Sequence, residues 1–205
     1  MKYLGAQLAS DGRVESEVAQ KLGIASKDFK VLKRLWNHCH VSPKFKFVVF
    51  TACIVQKLLY SLESAWLNKA LLAKIDGFYC RCLRQILKIS PSFISRVSNR
   101  YVLSQLDAIP LSQVLLQRQL IAFGQIARSS TSVVRRSVFQ DGTLDLADDF
   151  TKRRGRPRNT WAVEVRKKAR EVAGERNLTD LVANEVSWKS AVETFIKSHA
   201  HPHDD

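Results

Sequence analysis

Five cations stand within the seven residues Lys152-Arg153-Arg154-Gly155-Arg156-Pro157-Arg158, and Trp161 stands three positions later. No acid interrupts the run. Gly155 and Pro157 break any helix there, so the cations belong to an extended or turning segment. Such a segment can follow a phosphate backbone, enter a DNA groove, or serve as a solvated linker that also directs nuclear import. Just upstream, Leu146-Ala147-Asp148-Asp149-Phe150 places two carboxylates side by side. Paired carboxylates hold the two metals of phosphoryl transfer. Here they lack flanking apolar strands and a third carboxylate on an earlier strand, so an acidic loop is the expected reading.

The tetrad Arg154-Gly155-Arg156-Pro157 resembles the core of the AT-hook. In that motif two Arg flank a Gly whose missing Cβ permits close approach to a narrow, A·T-rich minor groove. No other chemistry stands out. His38-Cys39-His40 are consecutive and cannot all face one ion. Cys80 and Cys82, two apart on a helix, should point to different faces. His199, His201 and His203 alternate near the C-terminus. None of these has zinc-ligand spacing, and no phosphate loop, nucleophile elbow or Cys–His pair is visible. No catalytic residue, metal, cofactor or small-molecule substrate is expected.

The charge agrees with the run. Thirty-three Lys and Arg oppose 19 acids over 205 residues, a formal +14. That excess favours a polyanionic partner. Hydrophobic residues make up 45%, enough to bury a core. The longest charge-free apolar stretch, Phe47 to Gln56, is far short of the roughly 20 residues of a membrane span. Four cysteines without a secretory signal predict free thiols in a reducing, intracellular setting, the nucleus included.

The elements that must position these residues are mostly helical. Lys2 to Leu8 reads as one short strand ending at Ser10-Asp11-Gly12. One strand is not stable alone, so the chain is expected to begin partway through a domain. From Val14 to Trp36 an apolar stripe (Val14, Val18, Leu22, Ala25, Phe29, Leu32, Trp36) recurs at helical spacing. Ser42-Pro43 starts a second helix, apolar on a wide face (Val48, Val49, Ala52, Cys53, Leu58, Leu59, Leu62) and expected to be central. Asn68 caps a third, which Ser90-Pro91-Ser92 ends. Ser98 caps a short helix, Tyr101 to Leu106, and Pro110 opens a longer one. Polar residues 129–132 and Asp141-Gly142 mark a break. Thr160 caps a helix to about Ala173, and a last helix spans about Asn184 to Ser198. Trp36 and Phe78 read as core aromatics, and Trp161 as an anchor fixing the basic run to the bundle.

Several stretches, in order, resemble the C-terminal part of LINE-type (non-LTR) retrotransposon reverse transcriptases. They are Lys2-Tyr3-Leu4-Gly5, Asp11-Gly12, Ser42-Pro43-Lys44-Phe45-Lys46, and Leu58-Leu59-Tyr60-Ser61-Leu62-Glu63-Ser64-Ala65-Trp66. Then come Phe78-Tyr79-Cys80-Arg81-Cys82-Leu83-Arg84-Gln85-Ile86-Leu87, the stretch from Arg118 to Arg128, and Gly155-Arg156-Pro157-Arg158-Asn159-Thr160-Trp161. The family usually has Gly where this chain has Ser61, and often Gly-His at Gly124-Gln125. The resemblance implies that the first strand closes a palm beside the primer terminus. It implies that the helices after that strand form a thumb gripping template–primer duplex, and that fingers and catalytic palm lie upstream. It implies polymerase ancestry, and the missing carboxylates argue against polymerase activity.

The expected fold is therefore mainly α: a thumb-like helical bundle with a short N-terminal strand and a basic linker to a small C-terminal helical tail. The expected divisions are 1–12 (last palm strand and turn), 13–128 (bundle), 129–158 (acidic, then basic linker) and 159–205 (tail). The expected partner is DNA or RNA–DNA duplex, bound non-specifically through phosphates. Arg153, Arg154, Arg156 and Arg158 are the leading contacts, with Lys152, Arg166, Lys167 and Arg170 in support. Lys27, Lys30, Lys33 and Arg34 would add contacts from the bundle. The alternative is AT-hook-like DNA or chromatin binding through residues Arg154–Pro157.

Overall fold

A computed structural model describes residues 2–3, 6–7, 14–38, 40–129, 133–140, 144–146 and 160–200. The fold is mainly α, as the periodicity predicts. The described residues divide into two compact units, Met1–Leu62 with Leu67–Val114, and Glu63–Trp66 with Leu115–Asp205.

In the first unit the expected single strand is a pair. β1 (Lys2–Tyr3) and β2 (Ala6–Gln7) run antiparallel, with Lys2 opposite Gln7 and Tyr3 opposite Ala6. Each strand thus meets its pairing need locally.

Next comes helix α1 (Glu15–Asn37), which buries Val18, Ala25 and Phe29 from the predicted stripe. α2 (Pro43–Phe50) starts where Ser42-Pro43 placed it, with the Ser42 hydroxyl accepting from the Phe45 N–H at 3.3 Å. The helix then passes through a π-helical turn, Thr51–Val55, into α3 (Gln56–Leu59). The wider turn changes which residues face inward. Phe50, Ile54, Val55, Leu58 and Leu59 are buried, whereas Val48, Ala52 and Cys53, expected on the apolar face, are exposed.

The most enclosed helix is α4 (Lys69–Ile86), not the one opened by Ser42-Pro43. Asn68 caps it, its Oδ1 accepting from the Leu71 N–H at 2.9 Å. Phe78, Tyr79, Cys80, Cys82, Leu83, Arg84 and Ile86 are all buried, covering most of its circumference. Cys80 and Cys82 do point in different directions, yet both directions are interior. Phe29, Phe50 and Tyr79 make the aromatic centre, with Phe29 edge-on to Phe50 at 5.5 Å and Phe50 stacked on Tyr79 at 5.9 Å.

Burial pushes the Cys82 thiol up to about 12 and also raises Cys80. At pH 8 the Cys82 thiolate is then about one part in ten thousand. Alkylation of the native protein should mark Cys53, which is exposed, and spare Cys80 and Cys82 until denaturant is added. Peptide mass spectrometry reads this directly, and native labelling of Cys82 would contradict the packing of α4.

After α4 come α5 (Ser92–Ser95) and α6 (Asn99–Ser104). α6 starts two residues earlier than expected, because Ser98 caps it through the Tyr101 N–H at 3.2 Å. Leu106 and Ala108 are buried beyond its end, on either side of Asp107, whose φ is +49°. α7 (Leu111–Arg128) begins after Pro110 as predicted. Its first turn belongs to the first unit and the rest to the second.

The second unit adds α8 (Val133–Val138), which the polar break concealed, then α9 (Trp161–Ala173), α10 (Leu178–Ala183) and α11 (Glu185–Ala200). Thr160 occupies the N-cap position of α9 but makes no capping hydrogen bond. Gly174 ends α9 with a φ of +59°, a conformation that costs glycine little. Asn184 caps α11 by accepting from the Val186 and Ser187 N–H groups at 3.0 and 3.1 Å. Trp188 is fully buried against Phe123, and its indole N–H donates to the Leu120 carbonyl at 2.9 Å.

Candidate nucleic-acid interface

Lys27, Lys30, Lys33 and Arg34 lie on α1, and all four are exposed. At 100° per residue they fall within an arc of about 120°, and no acid shares that arc between Lys27 and Arg34. The same arc toward the N-terminus carries the small residues Ser16, Ala19, Gly23 and Ser26, and the exposed acid Glu15 at its edge in the first turn. The core stripe through Val18, Ala25 and Phe29 fixes this orientation. None of the four pairs with a carboxylate among the described residues. Lys33 donates to the Gln85 side-chain oxygen at 2.9 Å, which holds the end of α1 to the end of α4.

Beside that contact a cleft of about 680 Å³ opens between the C-terminal ends of α1 and α4 and the start of α2. Its cations are Lys33, Lys46 and Lys88, with His38 and His40 nearby. No carboxylate is found among the described residues lining it. Two helix C-termini face it, each worth roughly −0.5 charge. Three ammonium groups outweigh them, leaving a net charge of about +2 from these groups. Trp36 forms part of the wall. Half-buried, it packs edge-on to Phe29 at 6.0 Å, and Lys46 Nζ stands over its ring at 6.0 Å.

The second unit treats its predicted cations differently. Arg166 is mostly withdrawn from solvent: its Nε donates to the Leu144 carbonyl at 2.6 Å and its terminal nitrogen pairs with Asp145. Burial and then the neighbouring Arg170 cation lower its pKa from the ordinary guanidinium value, while Asp145 opposes them. Arg166 thus clamps residues 144–145 to α9, a structural duty that its sequence position did not announce. Arg170 is exposed and reaches Asp145 at 3.5 Å, and Lys167 is exposed. Lys152, Arg153, Arg154, Arg156 and Arg158 lie outside the described residues, as do Asp148 and Asp149. Trp161, expected to be an anchor, fixes the start of α9. Its indole N–H donates to the Glu63 carbonyl at 2.7 Å.

No protein-family model, curated protein or solved structure matches this chain. The site therefore has to be read from its own chemistry. Among the described residues no helix is long and apolar enough to cross a membrane. What the structure brings together is the α1 cationic face with the cleft at its end, joined at Lys33. The sequence reading named Lys27, Lys30, Lys33 and Arg34 as candidates, and the cleft adds Lys46 and Lys88 to them. A signal for these two was present, since Lys46 sits four residues after the Ser42 cap and Lys88 closes the last turn of α4.

Proposed function

We propose that the chain is a non-catalytic nucleic-acid-binding protein whose first unit contacts the phosphate backbone through α1. The carrying observation is the acid-free arc of Lys27, Lys30, Lys33 and Arg34. A rigid helix presents four charges at fixed spacing, and each phosphate contact releases counterions. Binding of this kind is sequence-independent and steeply weakened by salt.

Derivation from the thumb of a LINE-type reverse transcriptase is the ancestry we favour, with a nuclear setting to match. Two positions support it. Ser61, where the resembling family has Gly, has a φ of +65°, the left-handed region that favours glycine. The Ser61 hydroxyl offsets that conformation by donating to the buried Glu17 carboxylate at 2.6 Å. Gly124, the other family glycine, has no room for a side chain: a Cβ there would stand 2.5 Å from the Trp188 ring.

Titration of labelled duplex DNA and RNA–DNA hybrid against salt tests the reading. The triple variant Lys27→Glu/Lys30→Glu/Arg34→Glu should weaken binding at low salt by about 10- to 100-fold and flatten the salt slope by about three. No binding by the native chain at low salt, or binding indifferent to salt, would rule the proposal out. A preference for A·T-rich over G·C-rich duplex that vanishes on Arg156→Ala would instead favour minor-groove reading by residues 154–157.

A further inference from the structure

We infer that the cleft between α1, α2 and α4 is a pocket for an unpaired nucleotide, holding the base on Trp36 and the phosphate on Lys46 and Lys88. The inference rests on the nucleic-acid reading above and adds a second, structure-selective contact to it. Three features of the cleft converge on this ligand class. Its volume of about 680 Å³ lies in the range of small-ligand sites, which run from about 300 to 1,000 Å³. Its cations face no carboxylate among the described residues, so they attract an anion without an internal competitor. And its wall includes Trp36, a half-buried tryptophan with the Lys46 ammonium 6.0 Å over its ring.

A purely anionic ligand would satisfy the lysines and leave the indole idle. A purely apolar ligand would use the indole and strand the charges. A base joined to a phosphate uses both. Bases stack on aromatic rings with little regard to sequence, because every base has a π-face. Lys46 has a four-carbon stem, long enough to give way to the base and follow the phosphate. The Asn37 amide, also in the lining, offers donor and acceptor to the base edge. The pocket opens at the end of the α1 arc, where Lys33 serves both. A strand whose duplex part lies along α1 would therefore deliver its unpaired end to Trp36.

A paired base is barred, since it carries its partner with it and its Watson–Crick edge is occupied. The pocket should thus discriminate overhangs from blunt ends. The test compares three ligands by fluorescence anisotropy: a blunt duplex, the same duplex with a single-stranded overhang, and free AMP as competitor. The overhang should raise affinity about tenfold. Lys46→Gln/Lys88→Asn should abolish that gain, so that the variant binds the overhang and the blunt duplex alike. Asn is chosen at Lys88 because its φ is +58°, which Asn tolerates. Trp36→Leu should also abolish the gain and Trp36→Phe should keep part of it, with circular dichroism reporting that both variants fold. AMP that displaces the overhang assigns a free nucleotide as a second source of the same ligand, and AMP that does not confines the pocket to strands. An overhang that adds nothing, or a gain that survives both Lys46→Gln/Lys88→Asn and Trp36→Leu, overturns the inference. Overhang capture without any blunt-duplex binding would overturn the backbone reading and leave this pocket standing.

Discussion

Replacing Arg84 with Ala should destabilise the first unit by about 3–5 kcal/mol, measured as a fall in the urea midpoint followed by circular dichroism. Arg84 is only 5% exposed. Its guanidinium donates to the Val97 carbonyl at 2.7 Å and to the Asn99 side-chain oxygen at 2.9 Å. Longer contacts reach the Ser90 carbonyl at 3.4 Å and the Ser95 hydroxyl at 3.5 Å, too long to count heavily. The two short bonds come from a charged donor, each worth about 1.5–3 kcal/mol, and their loss leaves acceptors unsatisfied. One side chain thus ties residues 90–99 to α4, using a fork that Lys cannot reproduce. Arg84→Lys should therefore recover less than half of the loss. Arg84→Met, which keeps the apolar stem and removes the buried charge, should fall between Ala and the native residue. An unchanged midpoint for Arg84→Ala would show that the segment holds without it.

The second large effect belongs to the other unit. Trp188→Ala should cost about 3–5 kcal/mol, the usual toll for emptying a large aromatic from a closed core. Trp188 is 0% exposed, tilts against Phe123 at 6.0 Å, and anchors its N–H on Leu120. Its close partner is Gly124. Adding a methyl there would overlap the Trp188 ring atoms at 2.5 Å, so Gly124→Ala should cost about 1–3 kcal/mol. The two sites must couple. In a Trp188→Leu background Gly124→Ala should cost much less, and a double-mutant cycle by urea denaturation measures the difference. A cost for Gly124→Ala that is the same in both backgrounds would mean that the indole is not what excludes the methyl.

Much of this was legible from the residues. Ser42, Asn68 and Ser98 announced their helices because a cap is a local contract between a side chain and an N–H three residues away. The α1 stripe and its cationic face were legible for a similar reason: both depend only on helical period. What period could not supply was the identity of the central helix. The stretch after Ser42 is apolar on many positions, but Val48 and Ala52 lie opposite Phe50, and a π turn, invisible to a fixed 100° step, turned Cys53 outward. α4 contains Lys74, Arg81 and Arg84 and reads as amphipathic, yet it is the enclosed one because Arg84 finds acceptors inside. The cleft was hidden more deeply. Its cations come from three helices, and no linear spacing relates Lys33, Lys46 and Lys88. The partners of Arg166 were hidden in the same way: it stands in a basic stretch, but its acceptors, Leu144 and Asp145, lie more than 20 residues earlier.

The π turn at Thr51–Val55 acts as a phase shifter between the two ends of one continuous helical rod. In an unbroken α-helix Val55 would point about 140° away from Phe50, and the two could not share a core. The extra residue absorbs that mismatch. It allows Phe50 to meet Phe29 and Tyr79 while Val55 and Leu58 stay buried. A single inserted residue in the middle of a helix, with no chemistry of its own, thus lets the two halves of one rod serve the same core. Loss of one residue from this turn would leave the helix intact and aim its two halves at incompatible neighbours.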